Sequence, residues 1–232
     1  NNGESILSDV AKAVDNKLAQ EAISKDDVQG IGIGVPGPVD SQGVVHRCVN
    51  LGWGVVNVAE ELGNLTGLKI KVGNDANVAA LGEMWQGGAK GSKDVIMVTL
   101  GTGVGGGIIV DGKVVAGFNG AGGEIGHITV NNDEIEACNC GQYGCLEQYT
   151  SATGIVRLAK RKLAKSTEET SIREIPNLTA KDVFDAAKAG DAIAIGLVDE
   201  VCEILGSTLS NIACVVNPEI CLLYTSPSPR DV

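Results

Sequence analysis

The chain has 232 residues, of which 44% are apolar and 32 are glycine, so it is long enough to bury a real core and is rich in turns. A formal net charge of −11 weighs against nucleic acid as a partner, because binding phosphates requires a basic face. No apolar run reaches the roughly 18 residues of a membrane span, and no secretory leader pattern opens the chain. We therefore expect a cytoplasmic, soluble α/β protein.

The first part of the chain alternates predicted helices and strands. Apolar residues at helical spacing predict a helix over about Glu4–Ala22, and an abrupt helical start suggests that something upstream is missing. Glycine alternating with aliphatic residues predicts a buried strand over Gly30–Val35, which Pro36-Gly37-Pro38 ends either as a plain turn or as bare backbone near a ligand. A helix around Val58–Leu65 and a strand over Lys69–Val72 follow.

A polar cluster stands where the strand over Lys69–Val72 ends and the next helix begins. Gly73-Asn74-Asp75-Ala76-Asn77 opens a helix that runs to Trp85. Such a position in an α/β sheet is a common place for an active site. The alternative is that Asn74 or Asp75 only caps the helix. Capping needs one such residue, whereas three occur here in four positions.

A glycine-rich run connects the next two predicted strands. Asp94–Leu100 predicts a central strand, and Gly101–Gly107 turns into a further strand around Ile108–Val110, with a hairpin turn at Asp111-Gly112. Glycine amides and a threonine hydroxyl can cradle phosphate oxygens, because no side chain blocks their approach. The run matches neither the Walker nor the dinucleotide pattern, so alone it is weak evidence.

The strongest motif combines thiols, an imidazole and carboxylates. Three cysteines and a histidine lie within nineteen residues, bracketed by two acids: Cys138, Cys140, Cys145, His127, Glu124 and Glu147. A closed Cys3His set suits a structural zinc ion with tetrahedral coordination. Gly141 and Gly144 permit the tight turns that such a knuckle needs. The second ring nitrogen of His127 is then left for a hydrogen bond, for example with a ligand hydroxyl. Unconnected thiols or a disulfide are the alternatives.

The remainder is predicted to be mainly helical scaffold. Ser166–Asn177 is expected to be an exposed loop, and Thr179 with Asp182 resembles a capping box that starts a helix through Ala187. A second, apolar helix from about Ile193 to Ile212 and a strand over Ile220–Leu223 are predicted to follow. One basic cluster is interpreted as a solvated helix face: Arg157, Lys160, Arg161, Lys162 and Lys165. The other cysteines are expected to be buried, reduced thiols: Cys48, Cys202, Cys214 and Cys221.

Six motifs, in one order over about residues 28–223, resemble the ROK family of sugar kinases and related repressors. Within that family the resemblance is greatest to bacterial ATP-dependent glucokinases. The motifs are Gly34-Val35-Pro36-Gly37, Asn50-Leu51-Gly52-Trp53, Gly73-Asn74-Asp75-Ala76-Asn77, Leu100–Gly107, Glu124-Ile125-Gly126-His127 and Cys138–Glu147.

The resemblance implies an actin-like, ribonuclease-H-like α/β fold of two lobes with a zinc knuckle. We expect residues 1–73 to belong to the N-terminal lobe, 74–220 to the C-terminal lobe, and 221–232 to be a non-native tail. The family begins with a further strand and phosphate loop and ends with an adenosine-binding turn and a helix. The sequence is therefore expected to be truncated at both ends, which would leave the nucleotide site incomplete and could leave this fragment inactive.

The resemblance also implies the chemistry of the site. Asp75 would be the general base that takes the proton from the sugar 6-hydroxyl as it attacks the γ-phosphoryl group of ATP, the first step of glucose use in glycolysis. The sugar hydroxyls would be bound by Asn74, Glu124, His127 and Glu147. The phosphates of magnesium-bound ATP would be faced by Gly101, Thr102 and Gly103. The structural zinc would be held by His127, Cys138, Cys140 and Cys145, and the protein would be a homodimer.

Three alternatives stay open at this point. A sugar-responsive repressor of the same family would carry a helix-turn-helix segment upstream, although an intact Asn74-Asp75 pair favours a kinase. A kinase for fructose, mannose, N-acetylmannosamine or allose, or one that uses polyphosphate, would share these motifs, because hydroxyl geometry depends on loop positions. A zinc-stabilised sugar-binding module without catalysis would fit the fragment itself.

Overall fold

The computed structural model describes residues 3–46, 48 and 51–225, which form two compact units. The first unit falls within Asn1–Gly91, Gly107–Ile109 and Lys113–Gly123. The second falls within Ser92–Gly106, Val110–Gly112 and Glu124–Val232. In the described ranges, no helix is both long enough and apolar enough to cross a bilayer.

The first unit is built on two parallel strands. Its elements are α1 (Ile6–Gln20), β1 (Ile31–Val35), β2 (Val44–Val45), β3 (Val56–Asn57), α2 (Val58–Thr66), β4 (Ile70–Asn74) and α3 (Asp75–Gln86). Strands β1 and β4 pair in register from Ile31 opposite Ile70 to Val35 opposite Asn74, and β2 pairs antiparallel with β3. Because parallel strands end at the same edge, Asn74 stands beside the end of β1.

Helix α3 belongs to the first unit, whereas the sequence placed a boundary at residues 73 and 74. The helix packs directly on the two parallel strands through glycines. A Cβ on Gly34 would lie 3.5 Å from the Asp75 Cα, and one on Gly73 would lie 2.8 Å from the Val78 Cγ2. The structural division therefore falls after Gly91 rather than in front of the helix.

A four-stranded sheet follows, made of β5 (Val95–Leu100), β6 (Val104–Val110), β7 (Lys113–Val114) and β8 (Ile220–Thr225) in the order β7-β6-β5-β8. Strand β8 pairs parallel with β5 from Val95 opposite Ile220 to Leu100 opposite Thr225. Residues 221–225 of the expected tail thus continue the strand, and residues 226–232 lie outside the described residues. Strand β6 begins within the glycine run, four residues earlier than predicted.

The helices of the second unit enclose its main core. They are α4 (Glu147–Thr150), α5 (Ala152–Lys165), α6 (Ala180–Lys188) and α7 (Ala192–Val216). The predicted capping box is confirmed, since Thr179 and Asp182 exchange hydrogen bonds at the start of α6. The expectation of an exposed loop over Ser166–Asn177 is wrong at Ile172, which is 1% exposed and packs with Tyr149 in the core.

Part of the basic cluster on α5 is not a solvated face. Arg157 and Arg161 both bind Glu134, whose side chain is only 1% exposed, at Nη–Oε2 distances of 2.6 and 2.9 Å. The Tyr149 hydroxyl donates to the same carboxylate at 2.6 Å, and Arg157 also pairs with Glu136. Burial alone would raise the pKa of Glu134, but these hydrogen bonds hold it well below its ordinary value. The cluster therefore ties α5 to the cysteine-rich segment.

The cysteines outside the predicted metal motif differ from expectation. Cys48 is buried, as predicted, whereas Cys202, Cys214 and Cys221 are exposed. Apolar neighbours in sequence did not imply burial here, because the three thiols stand on the outer faces of α7 and β8. All seven cysteines lie in the described part of the chain and all are free thiols.

Candidate functional site

In the first unit, the polar cluster lies at the end of β4. Asn74 is the N-cap of α3: its Oδ1 accepts a hydrogen bond from the Asn77 amide at 3.0 Å. Its Nδ2 donates to the Gly37 carbonyl at 3.2 Å, so the Pro-Gly-Pro loop is held against the strand end. Asn74 therefore caps helix α3, one of the two roles considered from the sequence. Binding of a sugar hydroxyl by Asn74 stays a prediction.

Asp75 occupies the first position of α3 and is exposed. Its Oδ1 accepts a hydrogen bond from the next amide, that of Ala76, at 2.9 Å. Since Asn74 performs the capping, the Asp75 carboxylate is presented at the surface of this unit at the carboxyl end of β4. Asn50, which belongs to one of the motifs, lies outside the described residues.

In the second unit, Gly101, Thr102 and Gly103 form a tight turn between β5 and β6. The Gly101 amide donates to the Gly103 carbonyl at 3.0 Å. The start of α5 fixes the turn from outside: the Ala152 amide donates to the Gly101 carbonyl at 2.9 Å, and the Thr153 hydroxyl donates to the Thr102 carbonyl at 2.7 Å. Sequence analysis assigns no role to Thr153. A hydroxyl residue in the first turn after the helix cap was the available signal.

Glu147 joins this glycine turn to the cysteine-rich segment. Its Oε2 accepts a hydrogen bond from the Val104 amide at 2.9 Å, immediately after the turn. A Cβ on Gly103 would clash with that same oxygen, so a side chain there would force the Glu147 carboxylate to move. The other carboxylate oxygen, Oε1, lies 4.0 Å from the Cys138 Sγ. The predicted sugar ligand, phosphate turn and metal set are therefore adjacent in this unit.

Glu124 precedes a short 3-10 turn over Ile125–His127, and His127 is its last residue. This segment packs on the start of β6 through Gly126, where a Cβ would clash with the Val104 carbonyl oxygen. The glycine of the Glu-Ile-Gly-His motif is therefore required by the close approach of two backbones. Sequence reasoning identified the motif but not this reason for its glycine.

The four predicted metal ligands converge. The His127 ring nitrogen and the three Sγ atoms of Cys138, Cys140 and Cys145 all lie within 4.8 Å of one another. Cys138 Sγ is 3.9 Å from His127 Nδ1, and Cys140 Sγ is 3.6 Å from Cys145 Sγ. Zinc–thiolate bonds of about 2.3 Å put tetrahedral ligands about 3.5–3.8 Å apart, close to these two separations of 3.9 and 3.6 Å. The cluster thus has the geometry to hold one metal ion.

The glycines predicted to shape this knuckle have the required backbone. Gly141 and Gly144 have φ values of +91° and +69°, and a Cβ on Gly144 would also clash with the Asn131 carbonyl oxygen. Burial raises the pKa of the Cys138 and Cys145 thiols. A bound cation acts in the opposite sense, because it deprotonates coordinating thiols outright.

A concave region of about 210 Å³ borders this site and joins the cysteine segment to the start of α5. It is lined by residues that include Cys138, Asn139, Glu147, Gln148, Thr153 and Arg157. A larger cavity of about 540 Å³ lies along α7, and its lining contains none of the predicted site residues. Chemistry rather than size therefore identifies the candidate site of this unit.

Comparison with known proteins agrees with the motifs. The model of the ROK family matches residues 2–226. The glucokinase of Halalkalibacterium halodurans is 44% identical over 94% of this chain and 67% of its own length. The xylose repressor of Caldicellulosiruptor bescii is 30% identical over 97% of this chain, which spans 57% of the repressor.

The crystal structure of a ROK family glucokinase from Streptomyces griseus in complex with glucose and AMPPNP has a TM-score of 0.75 and 32% identity. That alignment covers 94% of this chain and 72% of the Streptomyces chain. The α/β fold found here is therefore the ROK sugar kinase fold. By family model, sequence and structure together, this chain belongs to the ROK family.

Proposed function

We propose that the protein containing this chain is an ATP-dependent glucokinase, which transfers the γ-phosphoryl group of ATP to the 6-hydroxyl of glucose. The observation that carries the proposal is the 44% identity to a glucokinase over 94% of the chain. The repressor alternative has the weaker support of 30% identity, over a smaller share of the relative.

Asp75 is the proposed general base. Phosphoryl transfer needs mainly positioning and charge neutralisation, so a single carboxylate that accepts the hydroxyl proton is enough acid–base chemistry. The exposed position of Asp75 at the end of β4 supports this role, because a base must be reachable by the attacking hydroxyl. Asn74, as the cap of α3, fixes the helix start on which that carboxylate stands.

The proposed sugar ligands supply several donors and acceptors, as an uncharged ligand with many hydroxyls requires. They are Asn74, Glu124, His127 and Glu147. The position of Glu147 supports its role, since its carboxylate is oriented by the Val104 amide and stands beside the cysteine cluster. Glucose is preferred over the other hexoses because the glucokinase relative carries the proposal.

Gly101, Thr102 and Gly103 are the proposed phosphate-binding residues. Their turn has bare backbone and is held in place by hydrogen bonds from the start of α5. Mg²⁺ bound with ATP would neutralise the charge that develops on the transferred group.

A structural zinc ion held by His127, Cys138, Cys140 and Cys145 completes the proposal. The thiolate and imidazole donors suit zinc, and the ligand separations of 3.6 and 3.9 Å are close to those of a tetrahedral site. The disulfide alternative would need an S–S distance near 2.05 Å, far below the 3.6 Å between the Cys140 and Cys145 sulfurs. A homodimer acting in the cytoplasm is proposed from the family resemblance and the free thiols.

The test is ADP release by the full-length reading frame that contains this chain, measured with ATP and a panel of hexoses. The proposal expects release that depends on glucose and is weaker with fructose, mannose and N-acetylmannosamine. Strong release with a different hexose only would correct the substrate. No release with any sugar, together with sugar-dependent binding to DNA, would establish the repressor instead.

A further inference from the structure

The start of α5 fixes two successive peptide groups of the glycine turn. The Ala152 amide holds the Gly101 carbonyl at 2.9 Å, and the Thr153 hydroxyl holds the Thr102 carbonyl at 2.7 Å. The described backbone contains no cis peptide bond, and in a trans peptide the carbonyl and the following N–H point in opposite directions. The N–H groups of Thr102 and Gly103 therefore point away from α5.

Two successive N–H groups that point the same way form an anion-binding concavity. The next amide along the chain, that of Val104, is instead directed to the Glu147 carboxylate. Contacts from α5 therefore fix the N–H groups of Thr102 and Gly103 in this turn. The Ala152 amide makes the first contact, and the Thr153 side chain makes the second.

Capping of α5 does not account for the Thr153 hydroxyl. Ser151 is the N-cap, and its Oγ accepts a hydrogen bond from the Gly154 amide at 2.9 Å. Thr153 is exposed, so its methyl group adds little to the core. Its Oγ1 lies 3.1 Å from the Ser151 Oγ, and the shorter bond, at 2.7 Å, goes to the Thr102 carbonyl of the glycine turn, 51 residues earlier in the chain.

We propose that Thr153 is a positioning residue for phosphoryl transfer: its hydroxyl sets the Thr102–Gly103 peptide so that the Gly103 N–H faces the phosphate groups of the nucleotide. The proposal rests on the proposed ATP-dependent kinase function. Thr153 does not touch the reacting atoms itself. It acts through the Thr102–Gly103 backbone, which would contact the phosphates.

The experiment compares Thr153→Val, which keeps the shape and removes the hydroxyl, with Thr153→Ser, which keeps the hydroxyl. In the full-length enzyme, Thr153→Val is expected to lower kcat/KM for ATP about fivefold, the effect of one ordinary hydrogen bond. KM for glucose should stay within about twofold, and Thr153→Ser should restore the ATP parameters. Equal loss in both variants, or equal effects on ATP and glucose, would overturn the positioning role.

Hydrogen exchange separates this proposal from the proposed function. In Thr153→Val, the Gly101 amide, which donates to the Gly103 carbonyl within the turn, should exchange about fivefold faster, whether or not the enzyme is assayed. An active enzyme with unchanged exchange in this variant overturns the role of Thr153 alone. A wild-type protein that consumes no ATP with any hexose overturns the kinase function and the inference with it.

Discussion

Replacing Glu134 with glutamine removes one charge from the buried cluster that joins the cysteine segment to α5. The Glu134 side chain is 1% exposed and pairs with Arg157 and Arg161, whose side chains are 21% and 36% exposed. The substitution keeps the shape of the side chain but removes the buried negative charge that faces the guanidinium group of Arg157. Breaking one side of a buried ion pair costs about 3–5 kcal/mol. Because Arg161 reaches solvent, we expect the lower end, about 3 kcal/mol.

Glu136→Gln is the matched control. Glu136 pairs with the same Arg157 at 2.7 Å, but its side chain is 57% exposed, so its loss should cost at most about 1 kcal/mol. Native-state hydrogen exchange of the amides of α5 measures the free energy of local opening in each variant. Equal effects of the two substitutions, or a loss below about 1 kcal/mol for Glu134→Gln, would refute the argument from burial.

The stability difference between wild type and Glu134→Gln should depend on pH in one direction. The hydrogen bonds and charges around Glu134 lower its folded-state pKa, so its carboxylate stabilises the fold above its ordinary pKa of 4.5. That contribution is lost as the pH falls below 4.5, by about 1.4 kcal/mol per pH unit. The difference between wild type and Glu134→Gln should therefore shrink by about 2 kcal/mol between pH 7 and pH 3. A constant difference would contradict the assigned ion pair.

Two further substitutions test the cysteine segment. Cys140→Ser should release the zinc ion and destabilise the fold. Cys202→Ser, at an exposed thiol outside the cluster, is the control and should keep one zinc ion per chain by metal analysis. A full zinc content in Cys140→Ser would disprove Cys140 as a ligand. Gly144→Ala should lower the free energy of unfolding in urea by at least about 2 kcal/mol more than Gly141→Ala, because both have positive φ but only Gly144 would clash with the neighbouring backbone. Similar losses of unfolding free energy in the two alanine variants would show that the positive φ alone, and not the clash, sets the cost of the substitution.

Local patterns in the sequence predicted the features that depend on a few neighbouring residues. The capping box of Thr179 and Asp182 and the positive φ of Gly144 are set within one turn of the chain, so residue type and spacing are sufficient signals. The convergence of the four candidate metal ligands was also predictable, because cysteine and histidine are rare residue types and are crowded here into a short segment.

Contacts between distant segments could not be predicted in this way. The sequence predicts a solvated face for Arg157, because nothing near it in sequence shows that Glu134 lies beside it in the fold. It predicts an exposed loop around Ile172, because polar neighbours surround that single core position. The contact of Thr153 with Thr102 joins residues 51 positions apart, and helix periodicity carries no information about such a pair.

Asp75 is the proposed general base that takes the hydroxyl proton in a glucose-phosphorylating enzyme. The most direct measurement compares glucose-dependent ADP release and glucose affinity between wild type and Asp75→Asn in the full-length protein. Loss of a general base should lower kcat by about a hundredfold or more, while the Kd for glucose stays within about threefold. Turnover of Asp75→Asn comparable to that of wild type would contradict the assignment of Asp75 as the base, because the base would then lie elsewhere.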